Sequence, residues 1–168
     1  SALRQRLSIS GSISQVITDV NRQMAGDLAD SGQFVTLFYL VVNPDRPILQ
    51  WVRAGHEPAI LYDPMADDFI ELQGSGMALG VDQHFQYEKN QKKNISRGSI
   101  IVLATDGVWE ARNESGQMFG RTAVYDIIRK NSAASADEIL EAIFSQIKKF
   151  IETSKPEDDL TLVIVKVL

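Results

Sequence analysis

Residues 99–113, SIIVLATDGVWEARN, run from an apolar stretch straight into Asp106-Gly107. Ser99 to Thr105 is rich in Ile, Val and Leu without alternation, the mark of a strand buried on both faces. Pattern alone leaves two readings of the carboxylate that ends it. Asp-Gly after a strand is ordinary turn chemistry, or Asp106 is held at a sheet edge to bind a metal ion.

The chain's last strand bears on that choice. LTLVIVKVL, residues 160–168, follows KPEDD, so Asp158 and Asp159 stand immediately before a strand. If the two strands are antiparallel neighbours, the end of one and the start of the other share one edge of the sheet, and three carboxylates converge. Clustered carboxylates repel unless a cation lies between them, and magnesium or manganese takes such oxygen ligands. An acidic run before a strand is also an ordinary solvated loop.

Outward from these strands, the pattern is mixed. Ile13, Val16, Ile17, Val20, Met24 and Leu28 fall on one face of a helix, with serines before it to cap it and Gly32 after it. Phe34 to Val42 is β-branched and aromatic, and NPDRP supplies a turn. ILQWVRAGHEPAILYD gives two strands hinged at Gly55-His56-Glu57-Pro58, and DDFIELQG gives a short third. GSGMALGVD reads as a loop and FQYEKNQKKNI as a lysine-bearing edge strand. Two helices are expected, Arg121 to Lys130 and Ser135 to Thr153, the second opened by a Ser135–Glu138 capping box. Short turns between successive strands exclude parallel pairing, so the fold class is mixed α/β (α+β) with mostly antiparallel sheet.

Composition narrows the function classes. The 168 residues carry a net charge of −5 and no sustained basic run, which argues against nucleic-acid binding. With no cysteine there are no disulfides or thiolate metal sites, in keeping with a reducing, cytoplasmic setting. Phe34 to Val42 is about half the length of a membrane span and is broken by Thr36. SALRQRLSIS lacks an initiator Met and reads as the tail of a helix, with Leu3 and Leu7 one turn apart. The chain is therefore expected to be an excised piece.

ATDGVWEARNESGQMFG, residues 104–120, resembles the Asp-Gly-x-x-Glu-Ala-x-Asn … Gly-x-x-Phe-Gly signature of the PPM metal-dependent serine/threonine phosphatases. The likeness is to the bacterial subgroup of stage II sporulation protein E and the stress-response phosphatases. FVTLFYLVVNP, RAGHEPAILYD, GSGMALGV and EDDLTLVIV are similar to the subgroup's other blocks, in order. The resemblance implies an antiparallel β-sandwich flanked by helices, with two Mg2+ or Mn2+ ions at one end. It also implies hydrolysis of protein phosphoserine or phosphothreonine by metal-activated water, with no nucleophilic side chain. Asp106 and Asp158 match the family's catalytic metal ligands; Gly107 would permit a tight turn at the metal site, and Asp159 would assist through water or a hydrogen bond. The implied partners are a phosphorylated protein, commonly an anti-sigma-factor antagonist, and an N-terminal sensor or receiver domain.

The sequence departs from the family at His56-Glu57-Pro58-Ala59, at Ala78 where proline is usual, and at Trp109 where a smaller residue is usual. The family also takes two aspartates from strands that precede the first long helix, and this chain is expected to begin after both. Residues 1–168 would then be the C-terminal part of one catalytic domain, N-terminally truncated, poor at binding metal and inactive by itself. Apolar sheet surface left bare would favour dimerisation. The alternative is a non-catalytic regulatory or partner-binding module, a pseudophosphatase; a third reading is an unrelated α/β binding module with accidental acidic turns.

Other polar residues have plainer roles. His56 is expected to fix its turn by hydrogen bonds, with lining of the substrate approach as the alternative. Glu110 is expected to pair with Arg112 or cap the next segment, and Thr36 and Thr161 to pack within strands. Thr105 is a candidate to orient the Asp106 carboxylate. Trp51 and Trp109 are expected in the core or at its rim, and His84 at the surface.

Overall fold

The computed structural model describes residues 3, 6, 11–29, 31–43, 46–152 and 159–168. The helix expected over the first ten residues lies almost wholly outside these, and so does Asp158. In chain order the elements are α1 (Ile13–Leu28), β1 (Leu37–Val42), β2 (Ile48–Ala54), β3 (Ala59–Asp63), β4 (Asp68–Leu72), β5 (Asn90–Lys93), β6 (Ile100–Ala104), α2 (Gly107–Glu110), α3 (Arg121–Lys130), α4 (Ala136–Ile151) and β7 (Leu162–Lys166). They divide into two compact units, one holding residues up to Pro58 together with Gln73–Ile95, the other Ala59–Leu72 with Ser96–Leu168. Each has its own sheet, and every strand pairing in both is antiparallel, the mixed α+β class expected.

The first unit carries the three-stranded sheet β1-β2-β5. The α1 helix starts where Ser12 Oγ accepts from the Gln15 N–H at 3.2 Å, and it buries Val16, Ile17 and Val20 against Val52, Ala54, Leu79 and Tyr87. Polar pins then tie loop 73–89 down. Buried Asn21 donates from Nδ2 to the Asp82 carbonyl at 2.8 Å and accepts the Gly80 N–H on Oδ1 at 2.9 Å. Thr18 Oγ1 accepts the Tyr87 N–H at 3.1 Å, and Trp51 Nε1 donates to the Gln73 carbonyl at 2.8 Å. Gly76 lies so close under β2 that a Cβ there would meet the Arg53 carbonyl oxygen at 1.8 Å, so no larger residue fits. As expected, β5 is a lysine-bearing edge strand.

The second unit carries the sheet β4-β3-β6-β7 and the helices α2 to α4. β6 is central and buried except at Leu103, which accounts for its unbroken apolar run. Ile139, Ile143, Ile147 and Ile151, one turn apart on α4, join Ile60, Ile100, Val102, Val124 and Ile128 in one core. The expected capping box is present: Ser135 Oγ accepts from the Glu138 N–H at 3.3 Å, and Glu138 Oε2 accepts from the Ser135 N–H at 2.8 Å. The Phe69 ring stacks on Tyr125 at 4.3 Å, with the Arg129 guanidinium 5.2 Å from its centroid.

Two features differ from the sequence reading. The strands hinged at Gly55–Pro58 are found, but β2 and β3 belong to different sheets, so the hinge is a crossing and not a hairpin. The second is α2, a short helix directly after Asp106 where a simple turn was expected. The backbone is helical from Asp106 onward: the Trp109 and Glu110 N–H groups both reach the Asp106 carbonyl, at 3.1 and 2.9 Å.

Candidate functional site

β6 and β7 are antiparallel neighbours, with Ala104 opposite Leu162. One step further, the Thr105 N–H donates to the Thr161 carbonyl at 3.1 Å, so the end of β6 and the lead-in to β7 lie side by side. The condition for converging carboxylates is met at the level of backbone. Asp106 is exposed at the start of α2, its Oδ1 accepting the Gly107 N–H at 3.1 Å. Asp159 is exposed on the facing segment, and its carbonyl accepts from Thr105 Oγ1 at 3.0 Å. Asp158, one residue earlier, lies outside the described residues.

Gly107 is buried, and its carbonyl takes the Ala111 N–H at 3.1 Å within α2. Trp109 is buried, with the Arg121 guanidinium 4.4 Å from its ring centroid and Arg121 paired to Glu71 at 2.8 Å. This larger ring is thereby accommodated in the core, as is Trp51 in the other unit.

Several side chains do other work than expected. The Thr105 hydroxyl does not orient Asp106; it serves the Asp159–Thr161 backbone, donating to Asp159 and accepting the Thr161 N–H at 3.1 Å. The turn at His56 is pinned through its backbone, Arg53 Nε donating to the His56 carbonyl and Arg53 Nη1 to the Gly74 carbonyl at 3.0 Å. Thr36 and Thr161 are exposed and sit just before β1 and β7. Arg112 Nη1 donates to the Gly116 carbonyl at 2.8 Å. His84 is exposed, as expected.

The donor set suits a hard divalent cation, since Asp106 and Asp159 offer carboxylate oxygens from adjoining strand ends. Among the described residues, no three His, Cys, Asp or Glu side chains gather closely enough to hold a metal ion.

The family model for stage II sporulation protein E (SpoIIE) matches residues 1–168. The chain belongs to the SpoIIE family. Phosphoserine phosphatase RsbU of Bacillus subtilis (strain 168) is 31% identical over 153 residues, 91% of this chain and 44% of RsbU. The chain spans less than half the length of the curated relatives it matches. Among solved structures, the SiaA-PP2C domain of Pseudomonas aeruginosa superposes with a TM-score of 0.83 at 20% identity, over 98% of this chain and 65% of that one. The phosphatase domain of SpoIIE from Bacillus subtilis, presoaked with manganese, gives 0.63 at 16% identity, over 98% and 70%. At these identities the likeness shows a shared PP2C fold, and with the family match it sets aside an unrelated binding module. No helix among the described residues is long and apolar enough to cross a membrane.

Proposed function

We propose that residues 1–168 are the C-terminal part of one SpoIIE-family catalytic domain that hydrolyses phosphoserine or phosphothreonine on a partner protein. The observation that carries this reading is the register of β6 and β7, which brings Thr105, the residue before Asp106, beside the Asp159–Thr161 segment. In this reading Asp106 and Asp158 are the ligands of Mg2+ or Mn2+, Asp159 supports them through water or a hydrogen bond, and Gly107 permits the tight backbone turn beside Asp106. Asp106 and Asp158 would hold such ions, which would supply acidification of a bound water and neutralisation of phosphoryl charge. The chain's own contribution is to hold acidic side chains at two adjoining strand ends, where their repulsion favours a cation. The proposed substrate is a small signalling phosphoprotein such as an anti-sigma-factor antagonist, in the cytoplasm, with control from an N-terminal sensor or receiver domain.

The test is Mn2+-dependent phosphate release from a phosphoserine peptide by the full-length protein and by Asp106→Asn. The substitution is expected to lower turnover on the order of 100-fold; equal rates for the two proteins would sink the assignment. A second reading, a non-catalytic partner-binding module, draws on the lack of a three-ligand group among the described residues. A full-length protein that binds its phosphoprotein but shows neither Mn2+ binding nor turnover establishes that reading instead.

A further inference from the structure

Thr105 stands where two demands on the backbone conflict. Opposite residues of a hydrogen-bonded antiparallel pair ordinarily exchange two N–H···O=C bonds. Thr105 and Thr161 make one of them, from the Thr105 N–H to the Thr161 carbonyl. The reciprocal bond is missing because the Thr105 carbonyl is diverted into the turn of α2, where it accepts the Val108 N–H at 3.1 Å. That diversion is what swings Asp106 out of the strand. It would leave the Thr161 N–H without its ladder partner and let the lead-in to β7 drift.

The Thr105 side chain restores the hold. Its Oγ1 accepts the Thr161 N–H at 3.1 Å and donates its own O–H to the Asp159 carbonyl at 3.0 Å. A hydroxyl can donate and accept at once, which neither valine nor alanine can do. We propose that Thr105 is a positioning residue: its hydroxyl clasps the Asp159–Thr161 segment to the strand end that presents Asp106, and so sets the spacing between the two acidic stretches. This rests on the reading of those stretches as cation ligands. Thr105 touches neither the ion nor the substrate in this proposal; it acts through the backbone of residues 159–161.

The test compares Thr105→Val, Thr105→Ser and Asp106→Asn in the full-length protein, with Mn2+ affinity measured by titration calorimetry apart from turnover. Thr105→Val keeps shape and removes the hydroxyl, and is expected to weaken Mn2+ binding about 10-fold or more. Thr105→Ser is expected to recover affinity to within about 3-fold, and the KM for phosphopeptide at saturating Mn2+ is expected to stay unchanged. Wild-type affinity in Thr105→Val, or equal losses in Val and Ser, would overturn the clasp. Asp106→Asn separates the two layers of argument. Loss of Mn2+ binding in Asp106→Asn alone rejects the clasp and keeps the metal site, whereas unchanged binding in Asp106→Asn rejects the site itself and the clasp with it. A metal-free readout is hydrogen exchange at the Thr161 amide in the 168-residue chain. It is expected to speed up about 10-fold in Val and not in Ser, and equal protection in all three proteins counts against the clasp.

Discussion

In the four-stranded unit, Ile139, Ile143, Ile147 and Ile151 of α4 close over the buried side chains of β3 and β6. In the three-stranded unit, α1 contributes an apolar face too, but loop 73–89 is fastened by single polar groups: Asn21 and Thr18 on α1, Trp51 and Arg53 on β2. The first kind of cohesion is spread over many contacts and does not depend on direction. The second is local, and each pin has one correct chemistry. The chain's two tryptophans fall one to each unit, Trp51 in the three-stranded and Trp109 in the four-stranded. Single-tryptophan variants therefore report the two kinds of cohesion separately.

The largest expected effect is from Ile143→Ala, which empties a fully buried site in α4. A loss of about 3 kcal/mol is expected in the denaturant transition followed by Trp109, from transfer and cavity terms together. The Trp51 signal is expected to move less. Equal displacement of both signals would show that the units melt together, and the contrast would then have no energetic meaning. Smaller is Asn21→Leu, which keeps apolar bulk but removes partners from the Gly80 N–H and the Asp82 carbonyl. A loss of about 1–2 kcal/mol is expected in the Trp51-reported transition. Unchanged stability would mean that water replaces the pin and that the loop is held by packing after all.

The same contrast governs what could be read from sequence. Helix α4 was legible because spread-out apolar contacts leave a periodic trace, and because its Ser135–Glu138 capping box has a local signature. β6 was legible from an unbroken apolar run, β7 from its β-branched residues, and their antiparallel pairing sets the end of β6 beside the lead-in to β7. Helix α2 was not, since four residues are too few for a period and Asp-Gly suggests a turn. Nor were the pins. Nothing in RAGHEP marks Arg53 as the residue that holds the His56 carbonyl, and nothing before Asp106 reveals that Thr105 serves residues 159 and 161. A side chain that bonds distant backbone depends on where the chain returns, which is a property of the fold and not of the local pattern. The crossing at Gly55–Pro58 was hidden for the same reason, because a sheet switch and a hairpin begin with the same turn residues.

The smallest expected effect sharpens the comparison through pH. Tyr87 of the three-stranded unit is 5% exposed and donates to the Met77 carbonyl at 2.8 Å; burial, aided by the Asp82 charge, pushes its pKa up to about 12. Tyr62 of the four-stranded unit is also raised, by burial first and then by its hydrogen bond to Asp67. An unfolded tyrosine titrates at about 10. A folded pKa above that value means the stabilisation is fully present below pH about 10 and drains away as pH climbs through the folded value. For Tyr87 the window is therefore about pH 10 to 12. Tyr87→Phe has no proton to lose there, so the Trp51-reported melting temperature is expected to fall less steeply across that window than in the parent. Tyr62→Phe is expected to flatten the Trp109 signal in the same way, leaving the Trp51 signal alone. If either substitution flattens both signals equally, the alkaline response belongs to the whole chain, and the division between a diffuse core and a pinned one fails at the level of ionisation.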